Sequence, residues 1–246
     1  MVEKSFGTGY SESVILKIDF HCHSRFSADG ISDPEEMVAK AKRRGLDGFA
    51  LTDHDTCDGI LYCYKAGLAR PDGKPVDGFL ILPGQEITTR QGHLLALGVL
   101  LPNLHGIDAK EAVTVVHSSG GLAIPPHPFD YFRAGIRSAV LDTLDIDGVE
   151  VFNSATTFRH CNRRAWEYAR QRGLPMIACS DAHYADVIGT AYTMVETKEF
   201  TVEEILGAVR KGTSLKEHYI SPKEALKKTW NNVLRLRRRT ASQTLG

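Results

Sequence analysis

Residues 14–55 read VILKIDFHCHSRFSADGISDPEEMVAKAKRRGLDGFALTDHD. The apolar run Val14–Phe20 has the composition of a strand and ends on His21 and His23. Ser32-Asp33-Pro34-Glu35-Glu36 then signals a helix start. Asp33 is expected as N-cap, Pro34 at the first helical position, and Glu36 three residues after the cap. The predicted helix Glu35–Arg44 stops at Gly45. A second apolar strand, Leu46–Leu51, delivers Asp53 and His54. The unit is therefore strand, helix, strand, with imidazoles or carboxylates past each strand end.

Working outward, the pattern repeats. Helical stretches are expected near Gly59–Ala69, Ala109–Ser118, Ser138–Leu144, Thr157–Arg172 and Thr201–Lys211. Strands are expected at Phe79–Leu82, His93–Leu101, Gly121–Ile124, Gly148–Phe152, Leu174–Cys179 and Thr190–Glu196. Such alternation implies an α/β fold with parallel strands covered by helices. In sheets and barrels of this kind, ligands bind at the carboxyl ends of the strands. His21, His54, Glu86, His127, Asn153 and Asp181 all follow apolar runs, which gathers them on one rim.

A length of 246 residues suits one α/β barrel. The chain carries 30 basic and 30 acidic residues, so no global field draws it to nucleic acid or membrane. The balance is uneven, however. Residues 221–246 hold seven basic side chains and one acidic, a net +6, which leaves −6 on residues 1–220. The expected organisation is a barrel over residues 14–220 and a basic C-terminal helix or tail over 221–246. The five cysteines form no CxxC pair, which fits a reducing cytoplasm. Residues 1–10 lack the apolar core of a signal peptide, and no apolar stretch is long enough to span a bilayer.

Six of the ten histidines sit beside carboxylates or in stiff turns. His21 and His23 are two apart on a strand end, so their rings share a face and Cys22 takes the other. Asp181 and His183 repeat that spacing. Glu86 follows an apolar strand, where an uncompensated carboxylate is costly. His127 is held between two prolines. His93, before an apolar run, reads by itself as a core or edge histidine. Imidazole and carboxylate together hold Zn, Mn or Fe, and the mixture does not choose among them.

HxH followed by SADG, then ALTDHD, GQE with a downstream His, PHP and SDAH resemble the PHP (polymerase and histidinol phosphatase) family from about Asp19 to Glu196. The resemblance implies a distorted seven-stranded β/α (TIM-like) barrel with a trinuclear centre that hydrolyses phosphoesters. It also implies nine metal ligands: His21, His23, Asp29, His54, Glu86, His93, His127, Asp181 and His183. By analogy, His21, His23, Glu86 and Asp181 hold one ion. Glu86 bridges to a second ion with His93 and His127, and Asp29, His54 and His183 hold the third. The cofactor expectation is two or three divalent ions (Mn, Zn or Fe), with catalysis centred on His21, His23, Glu86, Asp181 and His183. Cations at such a site lower the pKa of a shared water and neutralise phosphate oxygens.

Asp53, Asp55 and Ser180 are candidates for orienting ligands, and Asn153 for bonding substrate. Arginine suits a substrate phosphate because its planar fork takes two oxygens. Arg25, Arg90, Arg133, Arg137 and Arg159 fall in or near rim loops, with Arg133 and Arg159 favoured. The expected substrate is a small phosphomonoester or nucleotide. The alternatives are a nuclease that trims short RNA or DNA ends and a nucleic-acid-binding subunit with a vestigial site.

Overall fold

The structure, a computed structural model, describes residues 13–156 and 158–221. The basic segment from residue 222 onward lies outside the described residues, and so does the helix expected there.

Strand β1 (Val14–Cys22) pairs in parallel with β2 (Gly48–Leu51), and β2 pairs in parallel with β3 (Leu80–Thr89). Antiparallel pairing adds β4 (Gly92–Leu97) and β5 (Leu122–Ile124) on one side. On the other side of β1 stand β8 (Tyr192–Thr197) and β9 (Ser214–Lys216), also antiparallel. These seven strands form one curled sheet, a half-barrel. A second sheet pairs β6 (Val149–Asn153) with β7 (Met176–Cys179) in parallel.

The two sheets meet on both sides. The amides of Asp147 and Glu150 donate to the carbonyls of Ala123 and Pro125, and the His23 amide donates to the Ala182 carbonyl. The wall thus runs from β1 to β7 in chain order, the distorted barrel that the resemblance implies. The antiparallel run β3–β4–β5 departs from a strict strand–helix repeat. Glu86 consequently lies inside β3, not in a loop after it, and His93 lies inside β4.

The outer face is covered by α1 (Pro34–Arg43), α2 (Asp58–Lys65), α3 (Ala109–Ser118), the short α4 (Ser138–Leu141) and α5 (Arg159–Arg172). Helix α6 (Val202–Lys211) contributes Val202, Ile205, Leu206 and Val209 to the barrel core. Asp33 sits at the N-cap of α1 with extended backbone, and Pro34 follows it as expected. Its carboxylate makes no capping bond and pairs instead with Arg25. Among the described residues no helix is long and apolar enough to cross a membrane.

Strand periodicity decides what faces inward. Leu80 and Leu82 of β3 lie in the core cluster, and a period of two carries Glu86 onto the same face. Leu95 and Leu97 do the same for His93, and Ile177 and Cys179 for Asp181. In β1, Ile18 and Phe20 face this core, whereas Cys22 packs outside with Phe49 and Leu51. The pairing register slips between Asp19 and Cys22. That β-bulge turns the strand, so His21 and His23 reach the interior. A second bulge between Glu150 and Phe152 has the same effect in β6: Glu150 and Asn153, three apart, meet side by side.

Candidate metal centre

The inward residues converge at the mouth of the barrel around Glu86, which is almost fully buried. Its Oε2 lies 3.0 Å from His21 Nε2, 3.1 Å from His23 Nε2 and 3.5 Å from His54 Nε2. Its Oε1 lies 2.8 Å from His93 Nδ1 and 3.2 Å from His127 Nε2. Asp181 Oδ1 stands 3.7, 3.6 and 3.3 Å from nitrogens of His21, His23 and His183. Asp29 Oδ2 stands 2.8 Å from His183 Nε2 and 3.5 Å from His54 Nε2.

Four overlapping groups emerge whose donor atoms lie within 4.8 Å of one another. They are His23, Asp29, His54 and His183; His21, His23 and Glu86; His21, His127 and Asp181; and His54, Glu86 and His93. Together they contain all nine residues named from the sequence and, among the described residues, no others. The partition differs from the one drawn by analogy. His23 belongs also with Asp29, His54 and His183, and His127 lies with Asp181 and His21. His93, ambiguous alone, is brought into the cluster.

Local geometry explains these positions. His127 and Asp181 have positive φ, 32° and 52°. For residues other than glycine such backbone costs energy and persists only where the surroundings impose it. Gly30 closes the SADG loop, where a Cβ would fall 1.9 Å from the Ser24 carbonyl oxygen. The loop therefore folds back tightly and presents Asp29.

Several carboxylates act from behind. Asp53 accepts from the Ser24 amide at 2.6 Å and the Ser24 hydroxyl at 2.8 Å, which pins the loop after His23. Asp55 accepts from the Thr88 amide at 2.7 Å. Ser180 donates its amide and its hydroxyl to Asp19, which ties the segment before Asp181 to β1. Burial pushes both Asp19 and Asp53 up to about 6 despite these donors.

Glu150 was not anticipated from the sequence. It is fully buried, with Oε1 3.2 Å from His21 Nδ1. Its Oε2 accepts from the His127 amide at 2.5 Å and from Asn153 Nδ2 at 3.2 Å. The available signal was a lone acid within the apolar strand Val149–Phe152. Asn153 also donates to Asp181 at 2.9 Å, so its amide orients that carboxylate.

Of the candidate arginines, Arg133 alone contacts the nine-residue cluster among the described residues, donating to Asp181 and to the Ala155 carbonyl. Arg25 is paired with Asp33, Arg90 with Asp108, and Arg137 lies over the Tyr131 ring. Arg159 lies on the surface over Tyr219.

The electrostatics are those of a charge-dense pocket. Burial opposes ionisation of Glu86, yet the surrounding imidazoles hold it well below the usual carboxylate range. Burial also works against charge on His54, but Glu86 and Asp29 outweigh it and raise His54 to about 9. His21 is raised in the same way by Asp181, Glu86 and Glu150. Burial and the neighbouring His183 lower His23 to about 3, which keeps it neutral.

Divalent cations fit these residues. His23 Nε2 and His93 Nδ1 are buried and make no hydrogen bond, although a Glu86 oxygen lies close to each. Buried ring nitrogens left without a hydrogen bond are atoms that a bound cation would satisfy. Six imidazoles and three carboxylates form a mixed N and O donor set of the kind that holds Zn, Mn or Fe.

A barrel that gathers nine such donors at one rim is a candidate metal centre. The PHP domain profile matches residues 19–118, and the PHP-associated profile matches residues 159–214. An uncharacterized protein of Methanocaldococcus jannaschii is 30% identical over 149 residues, which cover 56% of this chain and 82% of that one. The chain belongs to the PHP family. A 5'-3' exoribonuclease of Haemophilus influenzae is 50% identical over 73 residues, covering 30% of this chain and 24% of that protein. Among solved structures, a two-domain Bacteroides vulgatus protein containing a predicted PHP-like metal-dependent phosphoesterase superposes with a TM-score of 0.65 at 24% identity. The match covers 89% of this chain and 70% of that one.

Proposed function

We propose that the protein is a phosphoesterase that hydrolyses a small phosphomonoester or nucleotide at the barrel mouth. The observation that carries this reading is the convergence of nine buried or half-buried donor residues, Glu86 and Asp181 among them, on one pocket. His21, His23, Asp29, His54, Glu86, His93, His127, Asp181 and His183 would hold two or three divalent ions, Mn, Zn or Fe. Bound there, such ions would supply Lewis acidity, acidifying water and neutralising phosphate oxygens.

The chain's own groups do the positioning. Glu150 accepts the Nδ1 proton of His21, which directs the Nε2 lone pair toward the centre. Asn153 and Arg133 both donate to Asp181 Oδ2 and fix that carboxylate. His21, His23, Glu86, Asp181 and His183 line the reacting position. Arg133 is the cation placed to meet a substrate phosphate, because its guanidinium already reaches the cluster.

A second reading, a nuclease that trims short RNA or DNA ends, is supported by the local likeness to an exoribonuclease. A vestigial binding subunit is disfavoured, because no position of the nine-residue set is missing.

The test is turnover by the Mn-loaded protein across nucleotides, sugar phosphates, histidinol phosphate and short oligonucleotides. Release of phosphate from a monoester supports the first reading. Shortening of oligonucleotides without monoester hydrolysis supports the second. No turnover together with no bound transition metal would overturn both.

A further inference from the structure

Helix α5 reverses the local charge of an acidic body. It holds five arginines and one glutamate, whereas residues 1–220 carry a net −6. Its buried face is made of Cys161, Asn162, Ala165, Tyr168 and Ala169. On the opposite side Arg159, Arg163, Trp166 and Arg170 recur at intervals of four, three and four residues, which is one stripe of an α-helix. All four are exposed. The stripe is about 16 Å long at ~1.5 Å rise per residue.

The arginines of this stripe are not spent on acids. Among the described residues, none of Arg159, Arg163 and Arg170 has a carboxylate partner within ion-pair distance. Two of them lie over rings: Arg159 is 4.4 Å above Tyr219, and Arg170 is 5.5 Å above Trp166. A groove of about 340 Å³ runs alongside, lined in part by Arg159, Asn162, Arg163, Trp166, Glu217 and Tyr219.

The stripe begins at the mouth. Helix α5 follows β6, whose last residue, Asn153, bonds Asp181. At its head stand two exposed rings, Phe132 and Phe158, with centroids 5.5 Å apart. Phe132 is 88% exposed, an unusual state for so large an apolar ring. The next residue, Arg133, turns inward to Asp181.

We propose that this stripe, headed by Phe132 and Phe158, is a track for single-stranded nucleic acid that leads an oligonucleotide end into the mouth. The inference rests on the phosphoesterase reading in its nuclease form and gives that form its substrate class, single-stranded oligonucleotides. Uncommitted arginines complement a phosphate backbone, and the flat faces of Trp166, Phe132 and Phe158 offer stacking to bases free of a duplex. A folded acidic protein or a polyphosphate would use the charges and leave the rings idle. A duplex keeps its base faces stacked within itself.

Fluorescence anisotropy with a labelled twelve-nucleotide single strand tests the track in the full-length Mn-loaded protein. Arg163→Glu with Arg170→Glu should weaken binding at least tenfold and flatten its salt dependence. Trp166→Ala should weaken it severalfold with the salt dependence retained. Lys110→Glu with Lys211→Glu, a matched double charge reversal on α3 and α6, should bind like wild type. The corresponding duplex should bind at least tenfold more weakly than the single strand. Wild-type affinity in the double arginine variant, equal loss in the double lysine control, or equal binding of duplex and single strand would overturn the proposal. Hydrolysis of an aryl phosphate or of the same oligonucleotide by the wild-type protein checks the underlying reading separately: absence of both alongside track-dependent binding would remove the hydrolase and leave the track.

Discussion

The Nδ1 of His21 lies 3.2 Å from Oε1 of Glu150, and both side chains are fully buried. A ligand imidazole held from behind by a carboxylate has its tautomer and ring orientation fixed, and loss of such a partner typically weakens metal binding 10–100-fold. Glu150→Gln keeps the volume but leaves one acceptor oxygen where two are used, so either His21 Nδ1 or the His127 and Asn153 donors face an NH2. The expected outcome is a drop in metal affinity of about 10–100-fold, measured by competition with a chromophoric chelator. Unchanged affinity would remove Glu150 from the centre.

Uptake of metal should release protons near neutral pH. In the metal-free protein His54 is raised to about 9 and His21 is raised as well, so both carry protons that a cation must displace. Titration calorimetry in buffers of different ionisation enthalpy should report net proton release at pH 7. The sign for stability follows. The folded pKa of His54 lies above its ordinary value, so its contribution is complete below about 6.5 and is lost as pH rises through about 9. The metal-free protein should therefore lose thermal stability between those limits, and calorimetry that finds no proton release would contradict the site.

Arg133→Lys retains the charge and removes the fork. Hydrogen bonds to charged groups contribute roughly 1.5–3 kcal/mol, and lysine cannot replace a planar bidentate donor. The expected loss is about tenfold or more in kcat/KM on a phosphomonoester, read by steady-state kinetics. A lysine variant as fast as wild type would show that the guanidinium only braces Asp181.

Gly30→Ala should be disproportionately harmful for one methyl group. The added Cβ would fall 1.9 Å from the Ser24 carbonyl oxygen, which is backbone and cannot swing aside. Asp29 is the adjacent residue, so the strain falls on the group that faces His54 and His183. Reduced metal content in a folded variant is the expected result, checked by elemental analysis with circular dichroism.

The ends of the parallel strands were legible in the sequence because an apolar run followed by His or Asp identifies a rim residue by position. His21, His54, His127 and Asp181 were placed this way, and the structure brings them together. Glu86 was recognisable as a residue of interest, but not as part of a strand. Its strand outruns β2 by pairing with β4 across the turn at Arg90 and Gln91, whereas Pro83 and Gly84 read as a break after Leu82. Glu150 was missed because its inward position depends on the topology that pairs β6 with β7 and sets it against Pro125. The two bulges that aim His21 and Asn153 are register slips against neighbouring strands and leave no local mark in the sequence. Of the arginines, only packing could distinguish Arg133, which reaches Asp181, from Arg25, which closes on Asp33.

The most direct measurement is aryl phosphate turnover by Mn-loaded wild type beside His21→Ala and Asp181→Ala, with bound metal counted in each sample. The account predicts turnover and more than one bound ion per wild-type chain. In the folded variants, turnover should fall to background and bound metal should decrease. Full activity and full metal content in either variant would contradict it.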